Sequence, residues 1–338
     1  MIRMDTEITC LSRALDLPEN WDCAAVDYFQ TREFLDHTEK YNPCNQRYYL
    51  LYQNETFKTG IVVYTLKLDL LTYLRIPSPF RMNIAGIPCS VSASGIIGNP
   101  DYLHQIIGHI KIREKGMLLF LNLASGLVEE KMIPGKTLPT IILTNHFRSW
   151  EDYLLAMRAN YRRRFRQLSL PFSEIHKKQV ACSCFDGRMY DQYLGVLKRS
   201  KGKLETLSME FFQKLPSNFN LTTFYSAEKL IGWYISATFN KKFYFFLGGL
   251  DYKVNRKFNT YFNILLNVVK EGIGKRASII DLGQTAEIPK LRLGGELVEK
   301  TMLGYHSNPM MRKLMKAGKR LLEYSTIVQE SHVFKQIR

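Results

Sequence analysis

Long apolar runs are scarce in this sequence. None reaches the roughly 18 residues that a membrane-spanning helix needs, and the longest candidates, near 117–123 and 243–250, have the length of buried strands. Charged residues also interrupt the first 22 positions, so no secretory signal is recognisable. We therefore expect a cytoplasmic protein that is soluble or peripheral to the inner face of the membrane.

Cysteine is also sparse. The chain has 6 cysteines and no C-x-x-C pair, a pattern that matches neither a zinc ribbon nor a disulfide-stapled secreted domain. Cys182 and Cys184 would share a face on a strand, but no His/Cys pair follows at zinc spacing. The sequence predicts reduced thiols and no metal site.

Acidic residues are too few to balance the basic ones. The chain has 47 Lys and Arg against 31 Asp and Glu, which gives a formal charge of +16. Such a surplus favours an anionic partner. Nucleic acid, an acidic membrane surface, a phosphorylated cofactor and an acidic carrier protein are the alternatives. The charge alone does not choose among them.

The length indicates two folded units. At 338 residues, with 46% hydrophobic and 23% charged residues, the chain is long for one core and too apolar to be disordered. Pro134, Gly135 and Pro139 punctuate residues 128–144, which we interpret as a linker. The predicted domains are residues 1–135 and 136–338.

The first half has a simple order of predicted elements. Two β-rich runs, 48–53 and 60–66, are separated by polar residues and predict a hairpin. Apolar residues then recur with helical spacing over 103–110, and a strand-like run follows at 117–123. The order is strand, loop, helix, strand.

The second half opens with a predicted helix. Ser149 and Asp152 form a capping-box arrangement, and aromatic and apolar residues keep the helical spacing as far as Leu168. We therefore expect one helix over this whole stretch.

The same order of elements then reappears. A predicted antiparallel meander consists of three β-rich runs, 221–225, 229–239 and 243–247. A polar loop at 251–257, a buried helix over 258–269 and a strand over 277–282 follow. We infer two copies of one architecture.

Three motifs stand out between residues 145 and 315. A W-x-x-Y-L…R-x-x-R pattern contains Trp150, Tyr153, Leu154, Asn160, Tyr161, Arg162, Arg163 and Arg166. A Y-x-x-x-x-x-R-S…L-x-x-x-F-F pattern contains Tyr193, Arg199, Ser200, Leu207, Phe211 and Phe212. A terminal D-x-G…K-x-x-x-G pattern contains Asp281, Gly283, Lys290 and Gly294. Together they resemble the Fem-like branch of the tandem GNAT acyltransferases, which is related to the peptidoglycan aminoacyltransferases; the first half resembles it only by element order.

This resemblance implies both a fold and an activity. The fold is mixed α/β (α+β), with two GNAT-like domains of the acyl-CoA N-acyltransferase type, each a mixed, mostly antiparallel sheet flanked by helices. The activity is N-acyl or aminoacyl transfer to an amine on a lipid, peptide or cell-wall precursor. The donor is a co-substrate that is not permanently bound, and acyl-CoA, acyl carrier protein and aminoacyl-tRNA all remain open.

The segment before the buried helix departs from the CoA-binding pattern. Ordinary CoA-dependent GNAT enzymes have an R/Q-x-x-G-x-G/A loop whose backbone N–H groups hold the pyrophosphate, and residues 253–259 lack those glycines. We expect Lys253, Arg256, Lys257 and Asn259 to bind donor phosphates, because they precede a predicted helix N-terminus. A solvated basic loop is the alternative.

The end of the meander supplies the first candidate catalytic residues. Acyl transfer needs an uncharged amine and a donor to the oxyanion, and Gly248 and Gly249 match the strand end that offers a backbone N–H in GNAT proteins. The alternative is a tight turn. Asp251 and Tyr252 follow as candidate proton relays, although an Asp commonly opens a turn.

Further candidates lie near the end of the chain. The resemblance implies that Lys290 is carried on the final strands, near the acyl or acceptor site, where it would meet substrate charge. Tyr305 and His306 are candidates for proton transfer, and a structural role is the alternative for each.

An arginine-rich helical face suggests a partner site. Arg158, Arg162, Arg163 and Arg166 lie beside aromatic residues, and this pattern suits tRNA, an acidic acyl carrier or an anionic lipid surface. Cations near a helix C-terminus also stabilise the helix itself. The rival to the enzyme reading is a non-catalytic module that binds nucleic acid or an anionic membrane on a GNAT scaffold.

Overall fold

The computed structural model describes residues 6–68, 80–89, 91–124, 126–200, 205–319, 323–324 and 331–335. Its strands are β1 (Thr6–Leu11), β2 (Arg47–Gln53), β3 (Thr56–Leu68), β4 (Phe80–Ala85), β5 (Ile96–Gly98), β6 (Met117–Leu123), β7 (Ile133–Thr144), β8 (His176–Val180), β9 (Phe219–Ser226), β10 (Lys229–Phe239), β11 (Lys242–Leu250), β12 (Ile279–Gln284) and β13 (Glu296–His306). Its α-helices are α1 (Asn20–Ala24), α2 (Arg32–Tyr41), α3 (Leu103–Arg113), α4 (Trp150–Ala156), α5 (Ala159–Ser169), α6 (Gly187–Arg199), α7 (Met209–Gln213), α8 (Tyr252–Phe258), α9 (Thr260–Gly274), α10 (Glu287–Leu291) and α11 (Pro309–Ala317).

The chain divides into two compact units. Unit 1 contains Met1–Leu138 and Glu299–Ser325, and unit 2 contains Pro139–Val298 and Thr326–Arg338. Residues 299–325 thus belong with the first half of the chain, whereas the sequence predicts one boundary near residue 135. That each unit is an independent domain stays a prediction.

Unit 1 has a mixed, mostly antiparallel sheet in the order β1-β2-β3-β4-β6-β13, with β5 paired to β3. The predicted hairpin is present as β2 and β3, and its turn uses the left-handed residues Asn54 and Glu55. Strand β4 pairs with β6 in parallel, which requires the crossover that α3 provides. Helix α3 buries Leu103, Ile106 and Ile107 against the sheet.

Unit 2 repeats this plan in the order β7-β12-β11-β10-β9-β8. The predicted meander is present as β9, β10 and β11, and β11 pairs with β12 in parallel after the crossover helix α9. Helix α9 buries Ile264, Leu265 and Val268 in the unit 2 core. The predicted fold class, mixed α/β with mostly antiparallel strand pairing and flanking helices, is confirmed.

Each sheet is completed by a strand from another part of the chain. In unit 1, β6 pairs with β13, and in unit 2, β12 pairs with β7. The linker predicted at 128–144 is therefore wrong from Ile133 onward. Pro134 lies near the start of β7, where a missing N–H is tolerated, and Ile141 and Leu143 point into the unit 2 core.

The single helix predicted from Ser149 to Leu168 is divided in two. Ser149 caps α4 as expected, because its Oγ accepts from the N–H of Asp152 at 3.1 Å. The helix then stops because Met157 and Arg158 are extended, and Met157 forms a β-bridge with Phe334. Met157 is fully buried. A buried apolar residue at this position fits a continuous helix and an extended segment equally well, so the spacing does not reveal the break. No helix in the described ranges is long and apolar enough to cross a bilayer.

Candidate active site

Strands β11 and β12 separate from each other in unit 2. Within the described strands, they pair only from Lys242 to Tyr244 of β11, whereas β11 stays paired with β10 as far as Leu250. The register between β10 and β11 also shifts at Phe246, which is an extra residue of the bulge type. We call the gap between residues 245–250 of β11 and 283–284 of β12 the wedge.

The backbone of Gly248 faces the wedge. The N–H of Asp251 donates to the carbonyl of Ile231 at 3.0 Å, and opposite residues of an antiparallel pair alternate between hydrogen-bonded and non-hydrogen-bonded. Gly249 is therefore in a hydrogen-bonded pair with β10 and Gly248 in a non-hydrogen-bonded pair. The N–H and C=O of Gly248 point away from β10, to the side from which β12 has separated.

Gly249 also has a packing role. A Cβ at this position would lie 2.5 Å from Nε1 of Trp233, a fully buried residue. A Cβ at Gly248 would meet its nearest neighbour at 3.1 Å. Both glycines lie within β11 and not in a tight turn. Gly249 makes room for Trp233, while Gly248 has the backbone direction that an oxyanion donor needs.

Lys290 lies where the wedge narrows. Its Nζ donates to the carbonyls of Gly283 at 3.1 Å and Gln284 at 2.7 Å, and it lies 6.0 Å from the ring centroid of Phe245 on β11. The residue is on α10 rather than on the final strands, so that expectation is wrong. After β12 the chain turns through left-handed residues, Ala286 among them, and enters a helix.

Burial changes the chemistry of the Lys290 amine. The residue is only 2% exposed. Desolvation lowers its pKa from an ordinary value near 10.5 to about 7, although the carboxylates of Asp281 and Glu287 act in the opposite direction. A substantial share of Lys290 is therefore neutral near pH 7.

The D-x-G motif positions the carbonyls that hold Lys290. Asp281 Oδ1 accepts from the N–H of Gly283 at 2.7 Å and from Thr140 Oγ1 at 3.1 Å. Gly283 is left-handed, with φ of +73°, a conformation that glycine adopts at little cost. The motif thus turns the end of β12 so that two carbonyls converge on Lys290.

Asp251 and Tyr252 have structural partners. Asp251 caps α8 through the N–H of Lys253 at 2.9 Å and pairs with Lys229 at 2.7 Å. Partial burial raises the pKa of Asp251, but the hydrogen bonds from Lys229 and from the N–H of Lys253 together outweigh that effect. The pKa of Asp251 is therefore below its ordinary value. The Arg199 guanidinium lies 3.9 Å from the ring centroid of Tyr252. Their proton-relay role stays a prediction.

The predicted phosphate loop is a helix. Lys253, Arg256 and Lys257 lie on α8, with the last two in its final turn, so the predicted loop conformation is wrong. They still precede the N-terminus of the buried helix α9, and their binding of donor phosphates stays a prediction. The seven-residue helix ends at Asn259, which is left-handed. Asn255 Oδ1 accepts from the N–H of Tyr261 at 3.0 Å and so caps α9, a role that its place in a polar segment did not reveal.

Two of the four predicted partner-binding arginines stabilise the fold. Arg158 Nε donates to the carbonyl of Phe334 at 3.2 Å. Arg162 Nη1 donates to the carbonyls of Leu155 and Met157, at 3.1 and 2.9 Å, where α4 ends. Both side chains therefore hold the junction between α4 and α5.

The remaining arginines lie near the cations of α8. Asn259 and Asn263 both donate to the carbonyl of Leu168 at the end of α5, at 3.2 and 3.0 Å, so the ends of α5 and α8 adjoin. We define the basic surface as five exposed side chains, those of Arg163, Arg164, Arg166, Arg256 and Lys257. The helices that carry the predicted partner-binding and phosphate-binding cations are therefore neighbours at these ends.

Tyr305 and His306 belong to unit 1, on β13. The Tyr305 ring lies 5.3 Å from Lys111 Nζ and 5.2 Å from the Arg312 guanidinium. His306 Nδ1 accepts from the N–H of Asn308 at 3.0 Å, and its carbonyl accepts from Arg312 at 2.9 Å. Their role in proton transfer stays a prediction.

Comparison with solved structures identifies the fold. No protein-family model and no curated protein sequence matches the chain. The crystal structure of FemX matches with a TM-score of 0.54 at 9% identity, over 86% of this chain and 94% of FemX. The structure of L-PGS from Bacillus licheniformis matches with a TM-score of 0.50 at 11% identity, over 92% of this chain and 98% of L-PGS. The chain therefore shares the fold of FemX and of L-PGS, which agrees with the Fem-like resemblance of its second half.

Proposed function

We propose that this protein transfers an acyl or aminoacyl group from an activated donor to an amine, with the reacting carbonyl in the wedge of unit 2. The observation that carries the proposal is the wedge itself, which is bordered by the backbone of Gly248 and by the amine of Lys290. The proposal also agrees with the fold shared with FemX.

Gly248 has the geometry to stabilise the transition state. The amine nitrogen attacks the donor carbonyl, a C–N bond forms, and the C–S or C–O bond to the carrier breaks. Negative charge develops on the carbonyl oxygen, where the preorganised N–H of Gly248 donates a hydrogen bond. The departing thiolate or alkoxide takes up the proton that Lys290 has removed from the attacking amine, so it leaves as a thiol or alcohol and Lys290 returns to its neutral form.

Lys290 acts as the base that accepts the proton of the attacking amine. A neutral amine has two N–H bonds and one lone pair, and the carbonyls of Gly283 and Gln284 use both N–H bonds. The lone pair is then left for a proton. A pKa of about 7 suits this role, because a base works best when its pKa is near the working pH.

The donor is presented by a polyanionic carrier, either aminoacyl-tRNA or acyl carrier protein, rather than as free acyl-CoA. A CoA-type loop would offer successive glycine N–H groups to the pyrophosphate, but here α8 occupies that segment and Asn255 already caps α9. The basic surface on α5 and α8 supplies side-chain charge to a larger anion instead. The acceptor is an amine on a lipid, a peptide or a cell-wall precursor.

The test offers acyl-CoA, acyl carrier protein and aminoacyl-tRNA in parallel to the full chain, with a mixture of amines, and detects acylated products by mass spectrometry. We expect transfer from a carrier-bound donor, a rate that rises with pH through about 7, and a loss of about 100-fold or more in Lys290→Met. Lys214→Met, which removes an exposed lysine of the same unit outside the wedge and the basic surface, is the matched control.

Two outcomes would contradict this mechanism. A rate that falls as pH rises through 7 would mean that Lys290 acts as an ammonium donor to the oxyanion and not as a base. Salt-sensitive binding of nucleic acid without acyl transfer from any donor would favour the non-catalytic binding module.

A further inference from the structure

Helix α11 is attached to unit 1 by one side only. It follows β13, begins with Pro309, and is capped by Asn308 Oδ1, which accepts from the N–H groups of Met310 and Met311 at 2.8 and 3.4 Å. Its nine residues include none that is buried. The helix therefore lies on the surface of the unit.

The attached side makes specific polar and apolar contacts. The Arg312 guanidinium lies 5.2 Å from the centroid of the Tyr305 ring and donates to the carbonyl of His306 at 2.9 Å. Met315 approaches Gly304, where an added Cβ would be 3.1 Å from the methionine methyl group. These contacts fix which face of α11 is directed outward.

The outward face is apolar. Met310, Met311 and Leu314 are 71%, 37% and 55% exposed, and their helical spacing places them together, on the side of the helix opposite Arg312. An apolar face that is turned away from the protein is the reverse of an ordinary surface helix. An outward apolar face of this kind indicates that something other than water, either a lipid surface or another protein, covers it.

The helix is also strongly basic. Arg312, Lys313, Lys316 and Lys319 lie between positions 308 and 319, and no Asp or Glu occurs there. Lys313 and Lys316 are exposed beside the apolar face, whereas Lys319 pairs with Glu323 at 3.3 Å. Apolar side chains flanked by lysines are the pattern of helices that lie in the interface of anionic membranes.

We propose that α11 docks unit 1 on an anionic lipid surface, with Met310, Met311 and Leu314 inserted among the headgroups and Lys313 and Lys316 beside the lipid phosphates. A bilayer complements both the charge and the apolar face. A second protein copy would normally bury about 800 Å² on each side. Three apolar side chains on one nine-residue helix supply much less, and reversible membrane contact needs only a small insertion.

The test is co-sedimentation of the full chain with vesicles of phosphatidylcholine alone or with about 30% phosphatidylglycerol. We expect binding to the anionic vesicles only, and a drop of about tenfold or more in the partition coefficient of Met310→Ser/Leu314→Ser. Lys313→Gln/Lys316→Gln should weaken binding about fivefold for each lysine.

The matched control is Leu15→Ser/Val26→Ser, which removes two apolar side chains of unit 1 that are 57% and 67% exposed. It should bind like the wild type, within about twofold. The proposal is overturned if the wild type binds no vesicles or binds neutral ones equally well, or if Met310→Ser/Leu314→Ser binds normally. A vesicle-free dimer that this α11 variant abolishes would assign the face to a second copy instead.

Discussion

The buried Lys290 makes the stability of the protein depend on pH. Its pKa is about 7 in the folded protein and returns to near 10.5 in the unfolded chain. Between these values the unfolded state binds more protons, so the free energy of unfolding rises with pH. For one proton the slope approaches about 1.4 kcal/mol per pH unit.

Lys290→Met removes the titrating group and keeps most of the apolar stem. At pH 7 the variant leaves the carbonyls of Gly283 and Gln284 without their donor, which is destabilising, but it also ends the burial of a charge. These effects oppose each other, so the pH dependence is the diagnostic quantity. From pH 7 to pH 9, the wild type should gain about 2 kcal/mol relative to the variant.

Urea unfolding followed by tryptophan fluorescence, at several values between pH 7 and pH 9, measures this difference. Lys253→Met is the control, because it removes an exposed lysine of unit 2, and it should follow the wild type across the range. Parallel pH profiles for the wild type and Lys290→Met would refute the reasoning, since they would mean that Lys290 binds a proton equally well in both states.

Two other predictions test features near the wedge. Gly249→Ala places a Cβ 2.5 Å from Trp233 Nε1 and should lower the free energy of unfolding, measured by urea denaturation, by about 1–3 kcal/mol. The control is Gly195→Ala on α6, where an added Cβ has no neighbour within 4 Å, and it should leave the free energy of unfolding no lower than that of the wild type. Arg163→Gln/Arg166→Gln should reduce the slope of log affinity for tRNA against log salt concentration by about 0.7–0.9 for each lost contact. Arg162→Gln should mainly lower the melting temperature. If the double substitution leaves the salt slope unchanged, these arginines contact only solvent.

The strands and crossover helices could be predicted because their signals are local. The hairpin of β2 and β3 and the meander of β9 to β11 consist of β-rich runs with polar turns. Helix α3 has apolar residues at helical spacing, and Ser149 caps α4 as its capping-box pattern predicts. In each of these cases, the residues that define the element are neighbours in sequence.

The features that the sequence did not reveal depend on distant partners. The division of α4 from α5 requires the bridge between Met157 and Phe334, and β7 is a strand because β12 pairs with it. Helix α8 is capped by Asp251, which reads equally well as the start of a loop. The family resemblance points to Lys290, but its burial and its two carbonyl partners follow only from the turn after β12.

The pairing of β6 with β13 also bears on how the protein is synthesised. Thr301 is 178 positions beyond Leu123, the residue opposite it, so the sheet of unit 1 stays open at β6 until most of the chain has left the ribosome. An open strand edge that contains Leu118 and Phe120, both buried once folding is complete, invites pairing with other chains. A fragment that stops at residue 138 would keep that edge permanently. Nascent chains should therefore need chaperones that prevent aggregation until β13 has been synthesised, even after the N-terminal half has become compact.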